Sequence, residues 1–244
     1  MNQAALMQHE LTKRFHQKSM TKKDLYDCIW CMRANLNIPF ERSCYRIGEL
    51  TCDYVQVESR RFENKNLCGI INKAMAPGIS HIVINSNNSR EIQRFSLLHE
   101  LMHWFFHSPN LNHCNIIGRK ELIFEDYQAN EGAAEFLMPC MVVVMTCAHL
   151  VNKNDLSLYD IEFVKGNIAK YFGVTDGMVY NRIESLKYEI WQYANGVDFG
   201  SLKMLSKKQQ LAKGIKIGSL NDTEWLLRHG YSHMINHNPL KKCA

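Results

Sequence analysis

No stretch of this chain is apolar for long enough to cross a bilayer: the longest apolar run, Phe136 to Val151, is broken by Pro139 and carries His149. Nor does Met1 to Met20 contain the apolar segment of a secretory signal; it is polar, with scattered charges. Internal repeats and low-complexity tracts are missing as well, which sets aside solenoid and linker-like readings. The nine cysteines are odd in number and lack regular spacing, so they fit reduced thiols and not a disulfide framework. These absences lead to the expectation of a cytoplasmic protein with no membrane partner. What is present fits an enzyme: 244 residues with 46% hydrophobic content can bury one substantial core, with room for a small appendage.

The most informative segment is His99-Glu100-Leu101-Met102-His103, inside the apolar stretch Phe95 to Phe106. On an α-helix the two imidazoles, four positions apart, project from nearly the same face and can share one metal ion. Glu100 follows the first histidine directly. Its carboxylate therefore lies beside the metal but off the ligand row, where a general base for an activated water belongs. Leu97, Leu98, Leu101, Met102, Trp104, Phe105 and Phe106 make the helix apolar nearly all round, so it reads as buried. Two imidazoles and a carboxylate there are costly without partners. The bland alternative is a pair of core histidines satisfied by hydrogen bonds.

A two-histidine site needs a third protein ligand on another element, leaving a fourth position for water. The segment Phe124 to Pro139 reads as a helix that Pro139 ends. At about 100° per residue, Ala129, Asn130, Ala133 and Leu137 fall within about 60° of Asp126, and Glu125 lies at the edge of that face. The small alanines let this helix pack closely on the first. Asp126 then points at the metal, Glu125 is the alternative ligand, and Asn130 is placed to accept the free imidazole N–H of a ligand histidine.

The run Arg94-Phe95-Ser96-Leu97-Leu98-His99-Glu100-Leu101-Met102-His103, followed by Gln128-Ala129-Asn130 and Ala133-Ala134-Glu135-Phe136-Leu137-Met138-Pro139, resembles the ImmA/IrrE family of metallopeptidases. Leu67-Cys68-Gly69-Ile70-Ile71 and His81-Ile82-Val83-Ile84-Asn85 resemble the two strands that lead into that family's motif helix. The similarity covers residues 67 to 190. In the family the third ligand is usually Glu three positions before the Ala-Asn pair, where this chain has the shorter Asp126, and Gly132 stands where an aromatic residue is usual. The resemblance implies a regulatory zinc protease acting on DNA-binding repressors, often ones encoded beside it on phages or integrative elements.

Elsewhere the sequence predicts helices in residues 1–45, strands around Tyr54 to Val57, Leu67 to Asn72 and His81 to Ile84, a turn-rich link 85–89 whose Ser89 caps the motif helix, and helices downstream. This is an α+β arrangement, a zincin-like core with a short-stranded sheet against the motif helix, followed by a helical C-terminal region. Three parts follow: an N-terminal helical segment 1–45, a metallopeptidase domain 46–200, and a basic appendage 201–244. Cys28-Ile29-Trp30-Cys31 lies in the predicted helix Lys23 to Asn35 and reads as core packing in preference to a redox or zinc motif.

Residues 163–190 have the outline of a helix-turn-helix, with Gly173 as the stop and Thr175 as the next N-cap. The second helix sets one Arg against Asp176 and Glu184, a poor footprint for phosphates, so a structural role is favoured over reading DNA. From Leu202 onward there are eight Lys or Arg against two acidic residues in a chain whose net charge is +5, so the positive excess sits in this tail. It reads as a solvated basic appendage; its histidines 229, 233 and 237 make a weaker case for a second metal site.

The reading is a cytoplasmic zinc-dependent endopeptidase in which His99, His103 and Asp126 hold Zn²⁺ and Glu100 moves the proton. Its expected substrate is a helix-turn-helix repressor. The alternative is a zincin-fold regulator without activity that binds a repressor or DNA through its C-terminal half.

Overall fold

A computed structural model describes residues 6–11, 20–38, 43–64, 66–73, 78–107, 113–116, 124–151 and 158–222. The three tail histidines lie outside the described residues. The architecture is α+β, as the sequence predicts. Two compact units divide the chain, Met1–Met20 with Asp24–Leu137, and Thr21–Lys23 with Met138–Ala244.

The first unit contains α1 (Lys22–Asn35, its first two residues counted with the second unit), α2 (Ser43–Thr51), β1 (Val55–Arg60), β2 (Leu67–Asn72), β3 (Ser80–Asn85), α3 (Arg90–Phe106), β4 (His113–Ile116) and α4 (Phe124–Leu137). The strands form one mixed sheet in the order β1-β3-β2-β4, with β1 parallel to β3 and β2 antiparallel to both β3 and β4. Ile82 and Ile84 of β3 and Ile71 of β2 face inward, each contributing about 1.5–3 kcal/mol by burial. This period-2 alternation fixes which face receives α3. Asn85, at the end of β3, locks the following turn: its Oδ1 accepts from the N–H groups of Phe62 and Asn87, and its Nδ2 donates to Leu67 O. The sequence reading named three strands; β4, at four residues, is too short to show an alternation.

Helix α3 packs on β2 and β3. Ser89 caps it by accepting from Ile92 N, and all residues from Leu98 to Phe106 are buried. Its other end closes on Lys73, just beyond β2, whose buried ammonium donates to Trp104 O at 2.7 Å, His103 O at 3.5 Å and the carbonyl of His107. Three terminal carbonyls thus receive a cation where the helix dipole favours one. Burial lowers the Lys73 pKa from its ordinary 10.5 to about 8.

Helix α4 lies against α3 through Ala129 and Ala133, both fully buried. A Cβ on Gly132 would stand 3.0 Å from Met102 Sδ and 3.1 Å from its Cγ, so an aromatic residue there would collide with α3 at this spacing. The opposite side of α4 is held by α1. Tyr26 donates to Glu131 at 2.7 Å, Trp30 to Glu135 at 3.1 Å, and Arg33 to Phe136 O at 2.7 Å while stacking on the Phe136 ring. In α1 Cys28 is buried and Cys31 exposed, both as free thiols, in keeping with a packing role for Cys28.

The second unit contains α5 (Cys140–Val151), α6 (Leu158–Phe172), α7 (Asp176–Ala194), a short 3-10 turn (Phe199–Ser201) and α8 (Lys207–Ala212). Gly173, at φ 59°, ends α6, and Thr175 caps α7 by accepting from Met178 N, so the helix-turn-helix outline is formed. Arg182 is 1% exposed and donates to Met138 O at 3.0 Å. The one arginine of the second helix is therefore spent inside the fold. A buried Lys22–Glu189 pair at 3.0 Å and the fully buried Val143, Val179 and Leu186 complete this core. Burial pushes the Cys147 thiol up to about 12, so it remains an inert thiol. Among the described residues no single helix is long and apolar enough to cross a membrane.

Candidate active site

The site is built from three elements of the first unit. Helix α3 supplies His99, Glu100 and His103, whose ligand-capable atoms lie within 4.8 Å of one another. The two imidazoles converge, with His99 Nε2 3.1 Å from His103 Nε2. From α4, Asp126 brings Oδ1 to 3.5 Å from His103 Nε2. Glu125, one position earlier, is only half-buried, whereas Asp126 is 3% exposed. A turn of about 100° is what separates the two carboxylates.

These spacings fit a metal. Two donors bound to one ion at about 2.0–2.1 Å in tetrahedral geometry stand about 3.3 Å apart, close to the 3.1 Å between the two imidazoles and the 3.5 Å between His103 and Asp126. Two imidazole nitrogens and a carboxylate oxygen are also a donor set that suits Zn²⁺. Two carboxylates compete for the third place, Glu100 by proximity and Asp126 by orientation. The mutually close group is His99, Glu100 and His103, whereas Asp126 comes from a separate helix and approaches the His103 ring.

Glu100 is fully buried, and neither of its carboxylate oxygens has a hydrogen-bond partner among the described residues. An ionised carboxylate left so would cost several kcal/mol, on the order of the usual penalty for a buried charge. Burial raises its pKa well above the ordinary Glu value, and the neighbouring Asp126 charge adds to the effect. Such a group holds a proton readily.

Sequence reasoning missed three contributors. Gly69 of β2 makes room for Glu100: a Cβ there would meet Glu100 Oε1 at 3.0 Å, Glu100 Cγ at 3.2 Å and Ile84 Cδ1 at 3.2 Å. A glycine inside a strand is the signal that pointed to such a close approach. The other two are His107 and Gln128. His103 Nδ1 lies 2.9 Å from His107 Nδ1, and His107 Nε2 lies 3.1 Å from Gln128 Oε1. His99 is held differently, its Nδ1 donating to Asn130 Oδ1 at 3.0 Å.

With this geometry in place, comparison with known families is decisive. The peptidase M78 family, described as the IrrE N-terminal-like domain, matches residues 55–184, more than half the chain. The chain belongs to this family. The M78 match begins at β1 and runs through the sheet, α3 and α4 into α7. It bears out the resemblance to the ImmA/IrrE metallopeptidases, and with it a metallopeptidase-like function and a metal cofactor. No curated protein is significantly similar to the chain in sequence.

The Gly69 contact yields a prediction. Gly69→Val should displace the Glu100 carboxylate and lower peptide hydrolysis about a hundredfold, as a misplacement near 1 Å does, while metal content is unchanged. Elemental analysis and cleavage assays on one preparation check both halves. A variant as active as the wild type would show that the base does not depend on this space.

Proposed function

We propose that this M78 protein is a zinc-dependent endopeptidase of the cytoplasm that hydrolyses a regulatory protein, a DNA-binding repressor of the helix-turn-helix class. The observation that carries the catalytic part is the buried Glu100 carboxyl with both oxygens available, directly beside two convergent imidazoles. His99, His103 and Asp126 would hold Zn²⁺. When bound, the ion supplies Lewis-acid polarisation of the scissile carbonyl and makes water a stronger nucleophile near neutral pH. Glu100 takes the proton from the attacking water and returns it to the leaving amine, a shuttle for which a raised carboxyl pKa is suited. Asn130 fixes the orientation of His99. The repressor substrate rests on the family, whose resemblance implies targets of this kind; a substrate protein, and not nucleic acid, is also favoured by the burial of Arg182.

Coexpression with a helix-turn-helix repressor encoded beside this gene tests the substrate. Site-specific cleavage is the expected result, and an intact repressor would reject it.

The ligand assignment is tested by a pair of substitutions. Asp126→Asn replaces an anionic ligand by a neutral amide and should weaken zinc binding by about a hundredfold or more, whereas Glu125→Gln should stay within about threefold of the wild type. Competition titrations with a chelator measure both. The reverse ranking would hand the role to Glu125.

A further inference from the structure

The polar chain behind His103 has a direction, and that direction decides whether His103 can bind a metal. A neutral imidazole carries one N–H and one lone pair, so the two Nδ1 atoms of His103 and His107, 2.9 Å apart, form a hydrogen bond only when one of them bears the proton. If His103 donates, its Nε2 keeps a lone pair facing that of His99 Nε2, 3.1 Å away, a pairing that a cation between them satisfies. His107 must then carry its own proton on Nε2, which requires an acceptor 3.1 Å away, and Gln128 Oε1 occupies that place. If the chain runs the other way, His107 donates from Nδ1 and His103 carries its proton on Nε2, aimed into the site. That arrangement needs a donor from Gln128. Reversing one amide would therefore switch His103 from ligand to non-ligand through two hydrogen bonds.

The relay is rigid. His107 is the C-cap residue of α3: its backbone N–H bonds to His103 O, and its carbonyl accepts from the buried Lys73. His107 is 7% exposed and Gln128 6%, so water does not easily replace either partner. Gln128 also shares helix α4 with Asp126 and Asn130, which couples the relay to the same helix that carries the third carboxylate.

We propose that Gln128 and His107 are positioning residues that hold His103 in the tautomer with its proton on Nδ1, so that Nε2 is presented to the metal. The proposal rests on the reading of His103 as a ligand, but its test does not require proteolysis. With ¹⁵N-histidine labelling, long-range proton–nitrogen correlations in the zinc-loaded, full-length protein at pH 8 report the tautomer of each ring, the ion taking the place of the proton that the two facing Nε2 atoms would otherwise share. His107 should show its proton on Nε2, bonded to Gln128. A proton on His107 Nδ1 would overturn the proposal, whatever the protein cleaves.

Zinc affinity, measured with the metal alone against a competing chelator, supplies the second readout. Gln128→Leu and His107→Leu remove the relay and should each weaken zinc binding by about ten- to a hundredfold, the usual effect of losing a partner behind a ligand. Gln128→Glu, an acceptor only, should retain wild-type affinity. His107→Asn should do the same, because its side-chain oxygen replaces Nδ1 as acceptor. A purely space-filling role would make the two leucine variants the better tolerated ones. Leucine variants that keep the wild-type helical content and bind zinc as tightly as the parent would also overturn it, and the wild-type spectrum decides the matter if those variants fail to fold.

Discussion

Glu100→Gln is expected to bind zinc as the wild type does and to hydrolyse its protein substrate about a thousandfold more slowly. The amide can hydrogen-bond to water but cannot take its proton at neutral pH, and removing a positioned general base typically costs 10²–10⁴-fold, by order of magnitude. Glutamine is close to isosteric, so the space opened by Gly69 still receives it. The substitution also removes a buried ionisable carboxyl without hydrogen-bond partners, so thermal stability in the metal-free state should rise or stay level. Cleavage time courses and melting curves on one preparation measure both effects. Undiminished cleavage would take the base role away from Glu100.

The second large effect is loss of the metal. The purified protein should carry about one zinc per chain, and His99→Ala or His103→Ala should reduce it to background, because either change leaves two protein ligands where three are needed. The two variants need not fail alike. His99→Ala leaves Asn130 facing the vacated space, whereas His103→Ala strands His107 at the end of its relay, so the second should also lower the melting temperature more. Elemental analysis of freshly purified protein is the measurement. Zinc retained by both variants, or absent from the wild type and not taken up on addition, would remove the metal site from these residues.

Much of this was legible because the periods were long and the punctuation clear. Ser89 at one end and the apolar sequence to Phe106 delimited α3, and Pro139 set the end of α4 within two residues. At about 100° per residue Asp126 and Glu125 fall on different sides of α4, and their burial follows that order. The glycine at 132 looked like a departure in isolation. In the fold it accommodates Met102 and lets α4 approach α3, a circumstance that suits an aspartate, which reaches less far than a glutamate.

What could not be read was mostly a matter of partners distant in sequence. His107 follows His103 at the same four-residue interval, yet its role depends on Gln128, and no periodicity links those two positions. Lys73 looked like one basic residue among many, because its three carbonyl acceptors belong to the end of a helix 30 and more residues away. β4 was hidden by its brevity.

Helix α4 carries Asp126, Gln128 and Asn130 within five residues, and every one of them reaches a histidine of α3 or of its C-cap. On the proposed ligand assignment, the motif helix alone offers the metal a pair of imidazoles, and the docked α4 adds an anionic ligand and orients both rings. Occupancy is thereby a report on tertiary assembly, and binding free energy becomes folding free energy. On that assignment, a nascent or heat-damaged chain with α4 undocked would lose metal and activity in one step.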